Sequence, residues 1–416
     1  MAEANPAEGH KRSSLAIIFV TVFIDLLGFA IVLPLLPRYA QHFQAGPSTL
    51  GMLMASFSAM QFIFSPIWGR VSDRVGRRPI LIMGLAGSMV SYAIFGLASS
   101  LSPGGRLLGL SPLTWLFVTR IGAGIFGATI STAQAYIADV TSPAQRARGM
   151  ALIGAAFGVG FTFGPLLGAL FVSGDTEGAP SPYPGYLASA LSGLALLSAI
   201  FMLPESLRPD SAPSAFGWFL LGNMATAMAR AAIGPILLAM FFTTFAFAQF
   251  EATLALLTEQ LGVSDKKNYL VFAYVGFVLA LSQGLIVRRL VPRVGEFRMS
   301  LAGTVLMAAG LVGVAVASHL QSLVVLCVMI AVCVMGFSAL TPSLQSLLSR
   351  NAQASEQGAI LGIGQGIAAV ARILGPFIGI VLFKSGGVPY PYWTGAIIMA
   401  LSVLLIIPLR STPVLE

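Results

Sequence analysis

The sequence predicts an all-α membrane protein with twelve transmembrane helices in two pseudo-symmetric six-helix bundles. Three observations carry that expectation: an apolar composition, twelve stretches of spanning length, and an order of short motifs that repeats between the halves. Of 416 residues, 56% are hydrophobic and only 9% charged, with a mean hydropathy of +0.88. A soluble chain of this length could not keep so much apolar surface from water. A span needs about 20 mostly apolar residues. Such stretches lie at 14–37, 49–69, 79–99, 113–138, 149–173, 185–204, 232–258, 268–290, 298–318, 321–347, 358–383 and 390–409, numbered here as spans 1 to 12. Pro, Gly and charged residues punctuate the gaps. A further apolar piece, Phe216 to Gly222, is too short to cross and is read as an interfacial helix.

Charge sets the expected topology. Placing both termini in the cytoplasm puts sixteen of the 23 Lys and Arg residues on that side and five on the other, with Arg120 and Arg372 inside spans. This is the positive-inside bias. It explains the net charge of +8 without nucleic acid, because the basic residues are scattered through short connections. Nineteen Arg against four Lys points to a GC-rich bacterial source, hence a bacterial inner membrane. Residues 1–13 are polar, and no small-residue cleavage site follows the first apolar core, so span 1 is read as a retained helix. Cys327 and Cys333, six apart on one helix, face about 240° apart and cannot pair with each other. No spacing suggests a metal site.

The halves echo each other. RVGRR (74–78) between spans 2 and 3 has a weaker copy, RVGEF (293–297), between spans 8 and 9. FGPLLG (163–168) in span 5 matches LGPFIG (374–379) in span 11, and PYP precedes both span 6 and span 12. The expected organisation is a six-helix bundle at 1–204, a cytoplasmic linker at 205–231 and a second bundle at 232–416, a parallel duplication.

Candidate functional residues fall in three groups. The first is GRVSDRVGRR, residues 69–78. Its charges cannot lie in hydrocarbon, so it is expected to form a tight loop at the membrane surface, with Gly69 and Gly76 giving the turn. The second is the set of charges inside spans: Asp25 in span 1, Arg120 in span 4, Glu251 in span 7 and Arg372 in span 11. Each costs at least ~2.5–3.5 kcal/mol at a bilayer centre unless paired or neutralised. Two readings stay open: buried ion pairs that tie the bundles together, or cavity groups that handle substrate and protons. Desolvation favours the neutral form of a carboxyl, which suits reversible protonation, and an arginine fork fits carboxylate or enolate oxygens. Gln134 shares a helical stripe with Arg120, Gly124, Gly127 and Ser131. Gln249 and Gln365 are intramembrane amides that serve equally as ligand or interhelical contact. Phe245, Phe247 and Phe250 flank Glu251, either as pocket wall or as core. The third group is the span 5 run Gly154, Gly158, Gly164, Pro165 and Gly168, where proline removes a hydrogen bond and glycine thins the helix.

The pattern G-x-x-x-D-R-x-G-R-R between spans 2 and 3 resembles the loop signature of the major facilitator superfamily of transporters. Arg120 followed by glycines resembles that family's fourth-span signature, and the run Gly154, Gly158, Gly164, Pro165 and Gly168 its antiporter motif GxxxGPxxG, although Ala169 stands where the full motif doubles its glycine. Asp25, Gly28, Pro34 and Pro37 are similar to the first span of its tetracycline-efflux branch. The resemblance implies a proton-coupled exporter of a small amphipathic organic compound, working by alternating access as a monomer in the lipid bilayer, with no cofactor. It also implies that Asp73, Arg74, Arg77 and Arg78 latch onto Asp139 at the end of span 4 and hold an inner gate. In the second half Pro292 replaces Asp73, so a matching latch is expected to be lost there. A symporter importing an organic anion, or a membrane receptor that transports nothing, remain alternatives. No nucleophile–base set or nucleotide-binding loop speaks for an enzyme.

The topology is testable directly. A reporter fused after Arg208 is expected in the cytoplasm and one inserted near Gly178 outside; the reverse pattern would overturn the span count.

Overall fold

The computed structural model describes residues 6–141, 156, 158–171, 181–207, 225–351 and 357–408. Among them, ten helices are long and apolar enough to cross a membrane: Leu15–His42, Pro47–Val75, Arg77–Ser99, Pro112–Val140, Tyr183–Met202, Gly234–Gln260, Asp265–Val291, Glu296–Leu320, Leu323–Arg350 and Ile360–Gly386. Two shorter apolar helices, Gly158–Ala169 and Tyr390–Ile406, stand where spans 5 and 12 were expected. The interfacial helix expected at Phe216–Gly222 lies outside the described residues.

Several helices outrun their apolar runs. Span 2 stays helical to Val75 and span 3 begins at Arg77, so the expected loop at 69–78 is helix except for Gly76. Nothing in GRVSDRV breaks a helix, and a helix that leaves the bilayer gives its charges to water without unwinding. Gly76 makes the turn alone, at φ +112°. The same device recurs at Gly295 (φ +86°), between the helices Arg288–Val294 and Glu296–Leu320. Span 1 is interrupted rather than ended by its prolines. A 3-10 turn, Leu33–Leu35, leads into a further helix, Leu36–His42. Span 4 breaks at Gly127–Thr129 into Pro112–Phe126 and Ile130–Val140. Carbonyls freed there are taken by span 2: Gln61 Nε2 donates to Gly127 O (3.3 Å) and Trp68 Nε1 to Ile125 O (2.7 Å).

The contacts define two compact units. Unit 1 comprises 1–45, 59–215 and 264–276; unit 2 comprises 46–58, 216–263 and 277–416. In unit 1, spans 1, 3, 4 and 6 share a core of Ile18, Val22, Leu26, Leu81, Leu85, Ala133, Tyr136 and Ala195. In unit 2, span 7 packs on spans 11 and 12, and span 9 lies along span 10. Small residues allow the last pairing: Gly303, Gly310 and Gly336 meet backbone of the facing helix, as interhelical packing in a membrane favours.

Gly310 gives a packing test. A Cβ there would lie 2.5 Å from Cys333 Cα and 2.7 Å from its Cβ. Gly310→Ala should cost about 1–3 kcal/mol, seen as a lowered Tm in detergent. Gly362→Ala, with nothing within 4 Å, should leave Tm unchanged or raise it. Equal Tm for both variants would contradict the packing account.

Candidate functional site

Three places concentrate buried or paired polar groups: the membrane-surface ends of the helices around Gly76 and Gly295, the middle of each unit, and the far end of span 1.

Around Gly76, Arg77 organises the first half. It is buried, pairs through Nη1 with the Asp73 carboxylate, and donates from Nη1 to Ser72 Oγ (2.7 Å) and from Nε to Asp139 Oδ2 (3.2 Å). Asp73, Arg77 and Asp139 therefore meet. The sequence reading missed a fourth member, Glu205, which it had placed in the linker. Glu205 accepts the backbone N–H groups of Arg77 (2.9 Å) and Arg78 (3.1 Å), and also those of Ser206 and Leu207. An acid at this helix start satisfies orphan donors and meets the positive end of the helix dipole. A Cβ at Gly76 would lie 2.5 Å from Glu205 Oε2, so glycine is needed for space as well as for φ. Ser206 donates to Asp139 Oδ2 (3.1 Å), and Arg78 Nη2 to Ile200 O (2.6 Å). The signal for Glu205 was an acid directly after span 6, opposite a helix start whose first N–H groups need acceptors.

The second half keeps a link that the sequence reading took as lost. RVGEF places Glu296 where RVGRR has Arg77, and Arg350 ends span 10 as Asp139 ends span 4. Arg350 Nη1 donates to Glu296 Oε2 (3.0 Å), and Ser346 to Glu296 Oε1 (3.1 Å). The correction has a simple cause. Pro292 stands in place of Asp73, but the bond between helix ends runs through the counterparts of Arg77 and Asp139, Glu296 and Arg350, and its polarity is inverted.

In the middle of unit 1, one turn of span 1 meets two neighbours. Asp25 is half-buried and hydrogen-bonded to Ser88 of span 3. It opens on a small cleft lined by Thr21, Val22, Leu26, Leu81, Leu85, Thr129 and Ile130. Arg120 is buried, with its guanidinium 5.5 Å from the centre of the Phe29 ring. Phe29 packs in turn on Phe161 of span 5. Gln134 is exposed. The stripe expected from Arg120 to Gln134 is interrupted by the break at Gly127–Thr129, which resets the helical register. In unit 2, Glu251 is half-buried and feels the charge of Arg372, which is exposed, as is Gln365 two turns earlier on the same helix. Gln249 is fully buried; its Oε1 accepts from Thr394 (3.2 Å), and Gly379 packs against its side chain. Phe247 stacks on Phe337, with ring centroids 3.8 Å apart, while Phe245 and Phe250 are buried.

The glycines of span 5 are contact points. Gly164 meets Ala30 of span 1, and a Cβ on Gly168 would lie 2.5 Å from the Tyr269 ring. Pro165 and Gly158 are buried on the same helix; Gly154 lies outside the described residues. Tyr269 belongs to a polar face at the start of span 8, with Asn268 beside it inside the expected span and Asp265 just before it. Tyr269 donates to Ile31 O (2.8 Å), Asn268 Nδ2 to Pro34 O (3.0 Å), and Asp265 pairs with Arg38. These three side chains, at spacing i, i+3, i+4, face the interrupted end of span 1. Among the described residues no group of His, Cys, Asp and Glu could hold a metal ion.

Comparison with known proteins gives a consistent result. The family model of the Major Facilitator Superfamily matches residues 18–376. Tetracycline resistance protein, class C, of Escherichia coli is 31% identical over 386 residues, covering 90% of this chain and 91% of that protein. Multidrug resistance protein 2 of Bacillus subtilis (strain 168) is 27% identical over 399 residues, covering 94% and 93%. The crystal structure of the human organic anion transporter MFSD10 (TETRAN) superposes with a TM-score of 0.71 at 26% identity, covering 95% of this chain and 99% of that one. The D-xylose-proton symporter, at 18% identity and a TM-score of 0.76, shares the fold.

The inverted link can be tested by double-mutant cycles on unfolding in detergent. Glu296→Gln with Arg350→Gln should give a coupling of about 0.2–1 kcal/mol, as for a partly exposed pair, shrinking in ~1 M salt, where the Debye length is about 3 Å. Arg77→Gln with Asp139→Asn should couple more strongly, because Arg77 is buried. Zero coupling at low salt in the first cycle would reject the second-half link.

Proposed function

The chain belongs to the major facilitator superfamily and is a multi-pass membrane transporter, and on that premise we propose that it exports a small amphipathic organic compound in exchange for protons, by alternating access. One observation carries the reading: each unit holds its own acid and base inside spans, Asp25 with Arg120 in unit 1 and Glu251 with Arg372 in unit 2. Ionisable groups at that depth are costly and mark ion and substrate pathways. The similarity to resistance proteins of Escherichia coli and Bacillus subtilis supports efflux and a drug-like cargo. In this reading Asp25 or Glu251 takes the coupling proton, and Arg120 and Arg372 meet the negative charge of the cargo or of the emptied acid. The cluster around Arg77 holds the ends of spans 2, 3, 4 and 6 together as one gate element at the cytoplasmic face. The bacterial inner membrane, with both termini inside, is the matching location.

A second reading has its own support. Two intramembrane arginines suit an organic anion, and one similar structure is of a human organic anion transporter. Import by symport and export by antiport differ in the direction of cargo movement under one imposed pH gradient.

The proton role is tested in vesicles. Asp25→Asn and Glu251→Gln should fold, because a neutral mimic removes a costly buried charge. They should lose accumulation driven by a pH gradient while keeping cargo exchange down its own gradient. Arg120→Ala should instead weaken binding, since it strands a negative partner. Undiminished pH-driven accumulation in the Asp25→Asn, Glu251→Gln double variant would eliminate both carboxyls as proton carriers.

A further inference from the structure

Tyr92 in span 3 is buried and has no place in the motifs that identify Asp25 and Arg120. Its position follows from three contacts made by a single turn of span 1. Asp25 meets Ser88. Gly28 meets the tip of the Tyr92 ring, where a Cβ would lie 3.1 Å from Cε2 and 3.6 Å from Cζ. Phe29 lies under the guanidinium of Arg120. Ser88 and Tyr92 are one helical turn apart and share a face of span 3. Span 3 runs in the same direction as span 1, so the phenol stands one turn beyond Ser88, between the level of Asp25 and that of Arg120. Both charges act on it. Gly28 has no polar role of its own; its lack of a side chain lets the ring tip reach this place.

We infer that Tyr92 is a positioning residue of the unit 1 proton site, its phenol placed by Gly28 to link the carboxyl of Asp25 to the guanidinium of Arg120. The inference rests on the proton-exchange reading given above and adds to it the group that lets a change of charge at Asp25 be felt at Arg120. A phenol suits that task. It keeps its own proton near neutral pH, and its oxygen both donates and accepts. It can donate to an ionised carboxyl, accept from a protonated one, and accept from a guanidinium in either case. Among the described residues, the polar or charged groups that neighbouring helices bring to this turn are Ser88 and Tyr92 from span 3, Arg120 and Thr129 from span 4, and Ser192 from span 6. Span 5 brings Gly160 and Gly164.

The test uses the full-length purified protein and a readout that does not need transport. The infrared carboxyl band that disappears in Asp25→Asn marks Asp25, and its pH midpoint is measured in Tyr92→Phe, which keeps the ring. The midpoint should move by roughly half a pH unit or more, about the size of one hydrogen bond. Gly28→Ala, which displaces the ring without touching the phenol, should move it in the same direction. The Gly28→Ala, Tyr92→Phe double variant should match Tyr92→Phe alone. In vesicles, Tyr92→Phe should lower accumulation driven by a pH gradient at least severalfold. An unmoved midpoint in Tyr92→Phe, or additive shifts in the double variant, overturns the inference. A wild-type protein without pH-driven flux would instead defeat the exchange reading, and the midpoint would still decide the link between Tyr92 and Asp25.

Discussion

The bilayer offers no water to a polar group, and the structure is organised by that absence. An unsatisfied backbone group in hydrocarbon costs several kcal/mol, and a charge costs at least ~2.5–3.5 kcal/mol. At two helix interruptions among the described residues, side chains from a neighbouring helix take the freed groups. Span 4 breaks at Gly127, and Gln61 and Trp68 donate to its carbonyls. Span 1 is interrupted around Pro34, and Asn268 and Tyr269 do the same there. Irregular backbone at depth is tolerated only where such partners exist. They also fix how the interrupted helix sits against its neighbours.

Close approach is the second consequence. Without a hydrophobic force between helices in lipid, association depends on van der Waals contact and hydrogen bonds. Glycine supplies the contact at Gly164, Gly168, Gly303, Gly310 and Gly336. At Gly76 and Gly295 it does something else, giving a one-residue turn at positive φ between two helices that would otherwise run on. Each turn is backed by charges at the helix ends, Arg77 with Asp139 and Glu296 with Arg350. The repeated part is the turn and the link between helix ends. The sign of the charge on each end is free to differ.

That freedom explains much of what the sequence did and did not reveal. The spans were legible because a run of about 20 apolar residues has few other uses, and the turn glycines because both halves carry RVG. The extent of the helices was less legible. Charges in GRVSDRV read as loop, although a helix projecting past the headgroups carries them equally well. The second-half link was hidden because both of its partners changed sign and proline stands at 292, where a direct copy would carry an acid. Gln249 and Gln365 were indistinguishable as single amides within largely apolar spans; the fold buries one beneath Thr394 and leaves the other exposed. Asp265 stood outside span 8 because Lys266 and Lys267 follow it, and Asn268 and Tyr269 stood at the first two positions of that span with no role assigned, yet their spacing places all three on one helical face.

The charged groups fall into two kinds, and the difference bears on what each can do. Those at the helix ends make direct ion pairs, Arg77 with Asp73 and Asp139, Glu296 with Arg350. Opposite charges bound in this way join one helix end to another. Asp25 is instead met by a hydroxyl. A serine hydroxyl donates to a carboxylate and accepts from a carboxylic acid, so it can bond either form. In the proton-exchange reading Asp25 changes its charge during the cycle, at a depth where any stranded polar atom is expensive, and a neighbour of this kind suits that. Ser88 beside Asp25 is such a neighbour, and on that reading it sets Asp25 apart from the ion pairs that hold the helix ends together.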